Sequence, residues 1–198
     1  MQSYLTTSPG KFLFLQTPPF LITDQGRYFH QRGKSEDHES FAPLSQDIVE
    51  SQSPQNREVR LLLAAIHYCR GSEASESNQP EPCLRHFKEH LALRRNFCDE
   101  TGKPDEDLAS AYNELGVAYM LNKMYVEGMH AFEKSIEIYQ GLEDYSGAMT
   151  AFPCTNLGLS YWLQGQHKMA EQILLDALHD REAWFGAMDK ESLKLVTE

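Results

Sequence analysis

The chain lacks the motifs on which many enzymes and most nucleic-acid-binding proteins depend. It has no G-x-S-x-G nucleophile elbow, no G-x-x-x-x-G-K phosphate loop and no G-x-G-x-x-G dinucleotide fingerprint. Its 18 lysines and arginines are outnumbered by 29 aspartates and glutamates, and the net charge is −11. Because neutralising phosphates requires a clustered excess of cations, this balance argues against nucleic-acid binding. The sequence therefore predicts no cofactor and no nucleic-acid partner.

Paired cysteines and long hydrophobic runs are also missing. The four cysteines include no C-x-x-C pair, which favours reduced thiols and a cytoplasmic location. The apolar stretch FLFLQTPPFLI, residues 12–22, is interrupted by Gln16, Thr17, Pro18 and Pro19. It also lacks a clean cleavage site of small residues, so it does not fit a secretory signal. We expect neither a signal peptide nor a membrane partner.

The strongest candidate for a metal site is a group of histidines and cysteines, namely His67, Cys69, Cys83, His86 and His90. His86 and His90 are four residues apart, so they share one face of a predicted helix, as half of a zinc site would. The group nevertheless lacks the close cysteine pair of a zinc finger. Packing inside a helical repeat explains Cys83 and His90 as well. The sequence therefore predicts no metal site, and it offers no catalytic residues and no enzymatic activity.

What the sequence does contain is an internal repeat. The segment NELGVAYMLNKMYVEGMHAF, residues 113–132, returns as TNLGLSYWLQGQHKMAEQIL, residues 155–174, at a constant offset of 42 residues. The matched pairs include Leu115 and Leu157, Gly116 and Gly158, Tyr119 and Tyr161, Gly128 and Ala170, Phe132 and Leu174, and Ser135 and Ala177. A weaker copy surrounds Gly71, where Phe87 takes the place of Phe132. The faintest copy surrounds Gly26.

The spacing within each copy predicts a pair of helices. Apolar and small residues recur three and four apart, which places them on one helical face. Two such helices bury their stripes by docking antiparallel, and Gly or Ala at the crossing lets the backbones approach closely. The predicted helices cover residues 57–73, 82–98, 105–121, 125–140, 149–163 and 167–183. The predicted fold is an all-α stack of antiparallel helix hairpins in a right-handed superhelix.

The predicted organisation has two parts. Residues 1–56 form an N-terminal arm that is poorly ordered or a degenerate repeat, with one short helix over residues 41–50. Residues 57–198 form the helical repeat domain. Within it we expect a degenerate repeat at 57–98, clear repeats at 105–140 and 149–183, and the start of a truncated helix at 189–198.

The repeated pattern resembles the tetratricopeptide repeat. The residues that carry the resemblance are Leu115, Gly116, Tyr119, Gly128 and Phe132 in one copy and Leu157, Gly158, Tyr161, Ala170 and Leu174 in the next. The period of 42 residues exceeds the standard period of about 34. It is similar to the longer kinesin-light-chain-like type found in fungal arrays. Arg70 and His90 depart from the pattern, since a leucine and a small residue are expected there.

The resemblance implies a non-catalytic scaffold that binds a peptide or helix of a protein partner. In this family the first helix of each hairpin lines a concave groove. Carried over by position, the groove residues are Ser110, Asn113, Val117, Met120, Phe152, Thr155, Asn156, Leu159 and Trp162. We expect the Asn113 and Asn156 amides to hold a peptide backbone, and Met120 and Trp162 to supply apolar area. None of these residues is basic, so capture of a chaperone C-terminus is not expected.

Two alternatives remain open at this point. Met120 and Trp162 could pack against a neighbouring repeat rather than bind a partner. The whole chain could be a stand-alone adaptor, or it could be the sensor or regulatory fragment of a larger nucleotide-binding signalling protein. The final residues KLVTE fall inside an unfinished repeat, which favours the regulatory fragment or a truncated gene model.

Overall fold

The computed structural model describes residues 56–185, which form six α-helices and contain no strand. The helices are α1 (Arg57–Glu76), α2 (Pro80–Thr101), α3 (Glu106–Leu121), α4 (Tyr125–Gln140), α5 (Gly147–Leu163) and α6 (His167–Phe185). They confirm the predicted all-α fold, and they are consistent with an α-solenoid of stacked hairpins. The predictions for the N-terminal arm, the copy around Gly26 and residues 189–198 lie outside the described residues.

Local chemistry sets where the helices begin. The Asp105 carboxylate caps α3 by accepting a hydrogen bond from the Leu108 backbone amide at 2.9 Å. Pro80 occupies the first turn of α2, where its missing N–H costs nothing. Several boundaries differ from the predicted ones by one to three residues. Among them, α5 begins at Gly147 rather than residue 149, so Pro153 lies further inside that helix than expected.

The turn inside each hairpin uses the same backbone device. A residue with positive φ follows the first helix in all three hairpins: Asn78 at 52°, Lys123 at 59° and Gly165 at 75°. The next backbone amide then bonds to a carbonyl in the last turn of that helix. These bonds run from Gln79 to Ala74 at 2.8 Å, from Met124 to Tyr119 at 2.9 Å and from Gln166 to Tyr161 at 3.0 Å. The repeat therefore extends to the conformation of the turns.

The turn at Lys123 predicts a stabilising substitution. A residue with a Cβ is strained in the left-handed region, and glycine is not. We expect Lys123→Gly to raise the free energy of unfolding by about 0.5–1 kcal/mol, as measured by urea denaturation. Gly165→Ala, the reverse change at the equivalent turn, should lower it by a similar amount. Equal or lower stability of Lys123→Gly would show that the turn carries no such strain.

Each hairpin is closed by a glycine facing a large side chain. The pairs are Gly71 and Phe87, Gly116 and Phe132, and Gly158 and Leu174, and the second member always lies 16 residues after the first. A Cβ added at Gly71 would lie 2.7 Å from Cε1 of Phe87, and one at Gly158 would lie 2.7 Å from Cγ of Leu174. A Cβ at any of these crossings would require the facing side chain to shift, and the same 16-residue pairing recurs in all three hairpins as the predicted register requires.

The helices stack in chain order. Each helix packs against the next one in sequence, and the first helices α3 and α5 also contact each other directly. One buried cluster joins α1–α4, and a second, built on Val117, Met120, Phe132 and Leu157, joins α3 and α4 to α5. Among the described helices, none has the length and apolar character that crossing a bilayer requires.

Candidate functional site

The predicted groove residues lie along α3 and α5, but most of them are not accessible. The side chains of Ser110, Asn113, Val117, Met120, Thr155 and Asn156 are buried. Three predicted groove residues, Phe152, Leu159 and Trp162, are partly exposed, and all three belong to α5. A position on the first helix of a hairpin therefore does not by itself make a residue accessible to a partner.

Asn113 and Asn156 face each other rather than a groove. The Asn156 Nδ2 atom donates a hydrogen bond to Oδ1 of Asn113 at 2.9 Å, and both side chains have 0% exposure. This corrects the expectation that the two amides hold a partner's backbone. In this structure the neighbouring first helix covers both of them. Their hydrogen bond pairs two polar groups in the buried contact between α3 and α5.

Other polar contacts lie at the same boundary between the two repeats. The Ser160 hydroxyl lies 3.3 Å from the Met120 sulfur and donates to the Asn156 carbonyl at 2.7 Å. We call Asn113, Val117, Met120, Asn156 and Ser160 the inter-repeat seam. For Met120, burial at 3% exposure favours the packing alternative. The seam fixes how α3 and α5 lie against each other.

A partly exposed apolar strip remains on α5. We define the α5 stripe as Phe152, Leu159, Trp162 and Leu163, which the helical period places on one face. Leu163 is 38% exposed, and the Trp162 ring contacts that of His167 edge-on with centroids 4.4 Å apart. The whole of α5, Gly147–Leu163, contains no charged residue. The stripe can therefore offer a partner apolar and aromatic surface but no ion pair.

An open crevice of about 540 Å³ lies elsewhere among the described residues, and the sequence did not predict it. It lies where the end of α2 and the following linker meet α3 and α4. Its apolar lining comes from Cys98, Leu108, Tyr112, Ile138 and Leu142, and its charged lining from Arg95, Asp99, Lys103, Lys134 and Glu137. These residues come from separate segments, so no local pattern indicates the crevice. Because the crevice carries charges of both signs, it does not favour a ligand of either charge.

The contacts between histidines differ from those that the sequence predicted. His90 is buried, and its Nδ1 donates to the Ala64 carbonyl at 2.8 Å. Burial lowers the pKa of His90 to about 4, so its ring is neutral at pH 7. His86 instead approaches His67 on α1, with 3.1 Å between the two Nδ1 atoms. Burial also lowers the pKa of His67 and of His86.

The cysteines are poorly suited to nucleophilic chemistry. All four are free thiols. Burial raises the pKa of Cys83 to about 12 and that of Cys154 to about 11, so both remain protonated at neutral pH. Within residues 56–185, no three His, Cys, Asp or Glu side chains gather closely enough to hold a metal ion.

Comparison with known proteins agrees with this architecture. Residues 107–183 match the family model described as Tetratricopeptide repeat, a range that covers the two later hairpins, the seam and the α5 stripe. No curated protein matches the chain significantly. Tetratricopeptide repeats generally mediate protein–protein interactions and are typically non-catalytic scaffolds. The family match and the stack of six helices together support a tetratricopeptide repeat protein.

Proposed function

We propose that the chain is a non-catalytic scaffold that binds a helix or peptide of a protein partner through the α5 stripe, in the concave groove. The carrying observation is that the stripe is partly exposed on a helix without any charge. Aromatic and large aliphatic side chains contribute most of the energy at protein interfaces. The amphipathic helix-in-groove mode needs such an apolar surface.

The chemistry of the stripe narrows the partner. Neither α3 nor α5 contains a lysine or arginine, so these helices have no cation with which to grip a terminal carboxylate. A segment with apolar anchors at helical spacing fits Leu159 and Trp162 better. The indole of Trp162 adds a large, rigid contact area with few rotatable bonds.

The inter-repeat seam supports this role indirectly. Its buried contacts hold α5 against α3, so the stripe is presented on a rigid support. Preorganisation of this kind lowers the entropic cost of binding. The predicted partner role of Asn113 and Asn156 is thereby replaced by a positioning role, and the proposed contact surface reduces to α5.

The proposal includes two finer assignments. The 42-residue offset between Gly116 and Gly158 supports the longer-period, kinesin-light-chain-like type, and the four free thiols support a cytoplasmic location. A regulatory fragment of a larger nucleotide-binding signalling protein would use the same groove, so one test applies to both alternatives.

Leu159→Lys tests the proposal. Burying an unpaired ammonium in an apolar interface is costly, so we expect the variant to recover its partners from cell extract at least about tenfold less than the parent. Trp162→Ala should show the same loss. The measurement is quantitative affinity purification with the full chain, followed by titration of the strongest partner segment.

Val126→Lys is the matched control, because Val126 is 59% exposed on α4 and outside the stripe. It should bind like the parent. Circular dichroism must show unchanged helicity in all three variants. Partners recovered equally by Leu159→Lys, Trp162→Ala and the parent would rule out the α5 stripe as the contact surface.

A further inference from the structure

Two imidazoles meet at the surface of the first hairpin, in an arrangement that the proposed scaffold function does not use. His67 lies on α1 and His86 on α2, and each is half-buried. Their Nδ1 atoms are 3.1 Å apart, and their ring centroids are 5.4 Å apart with the planes tilted by 44°. The rings are therefore not stacked, and in the absence of an ion the two Nδ1 atoms are within hydrogen-bonding distance of each other.

That separation matches the edge of a metal coordination shell. Zinc lies about 2.0–2.1 Å from imidazole nitrogens. An ion at that distance from two nitrogens 3.1 Å apart would see them at an angle of about 95–102°. The angle falls between that of a square-planar site, about 90°, and that of a tetrahedral site, about 109°.

We propose that His67 and His86 form a two-histidine site for a divalent transition-metal ion of the Zn²⁺ or Cu²⁺ class, which bridges α1 and α2. Imidazole prefers these ions to Mg²⁺ or Ca²⁺. The described residues supply no third ligand. The remaining positions are filled by water, and the ion binds more weakly than in a four-ligand structural site.

The surrounding charges modulate the site without blocking it. The guanidiniums of Arg70 and Arg85 lower the pKa of both histidines, whereas the carboxylate of Glu89 raises it. The cationic neighbours disfavour a bound cation, and Glu89 offsets part of that cost. Burial, the largest influence on both rings, lowers their pKa and so favours the neutral form that binds metal ions.

A bound ion would clamp the first hairpin. The site links two helices that are joined through the turn at Asn78, so the ion binds the folded hairpin more tightly than the unfolded chain. Linkage then requires that the metal stabilises the fold. The site is distant in sequence from the α5 stripe, and its test does not depend on the scaffold function.

The test uses the full chain freed of metal by a chelator and titrated at pH 7.4 with Cu²⁺ alone and then with Zn²⁺ alone. Calorimetry should detect one ion per chain at the strongest site, and Zn²⁺ should raise the Tm. Electron paramagnetic resonance of the Cu²⁺ form should show couplings to two imidazole nitrogens. Mg²⁺ should give no heat of binding.

Variants connect the binding to this pair. His67→Asn and His86→Asn should each weaken binding by about tenfold or more. His130→Asn is the control, because His130 is exposed on α4, where it pairs with Glu133 at 3.2 Å. It should bind like the parent. Absence of stoichiometric binding, fewer than two nitrogen couplings in the parent, or parent-like affinity in both folded variants would overturn the proposal.

Discussion

Gly116→Ala will lower the free energy of unfolding by about 1–3 kcal/mol, and Gly116→Leu will lower it further. A Cβ at residue 116 would lie inside the contact distance of the Phe132 ring, which is fully buried with 0% exposure. Phe132 belongs to the buried cluster with Val117, Met120 and Leu157, so the added atom must displace the packed ring or separate α3 from α4. The loss outweighs the gain of up to about 1 kcal/mol that alanine normally gives over glycine in a helix.

Urea denaturation monitored by circular dichroism measures this effect. The matched control is Gly141→Ala, at the end of α4. A Cβ there would lie no closer than 3.4 Å to the Ile138 carbonyl oxygen, and the backbone is right-handed with φ of −86°. That substitution should change stability by less than about 0.5 kcal/mol. Stability of Gly116→Ala equal to that of the parent would contradict the tight crossing of α3 and α4.

Asn156→Ala is expected to have the second large effect. It removes the amide donor that bonds to Oδ1 of Asn113 in the buried seam. Leaving a buried polar group without that partner costs about 1–3 kcal/mol. We therefore expect destabilisation of that size, whereas a groove contact with a partner would leave the stability of the free protein unchanged.

A double-mutant cycle gives the sharper result. Asn113→Ala, Asn156→Ala and the double variant should show a coupling free energy of about 0.5–3 kcal/mol, because each single change orphans part of the other amide. Asn96→Ala on α2, where the side chain is exposed, should be nearly neutral. Additive effects of the two seam substitutions would mean that the amides do not depend on each other.

The sequence predicted the hairpins well because their determinants are local. A glycine followed 16 residues later by a bulky residue defines two helices and the point where they cross. The predicted bounds for α4 agree with the structure, and those of α3 differ only at Asp105, which caps the helix. Even the degenerate first copy places Gly71 against Phe87, despite Arg70 and His90.

The candidate site was harder to predict because it depends on contacts between hairpins. Helical periodicity shows which residues share a face of α3, but it does not show that α5 covers that face. Asn113 and Asn156 are therefore buried where the resemblance implied an accessible groove. The approach of His67 to His86 likewise joins two helices, and the i, i+4 rule draws attention to His86 and His90 instead.

The constant distance between each glycine and its bulky partner also has a consequence for how such a chain can change length. That distance is 16 residues in every hairpin, yet successive glycines are separated by 45 and then by 42 residues. Insertions and deletions are thus absorbed in the connections between hairpins. An insertion or deletion within a hairpin would move the bulky residue away from the glycine that it packs against. The hairpin, rather than the individual helix, is therefore the unit that duplication can copy.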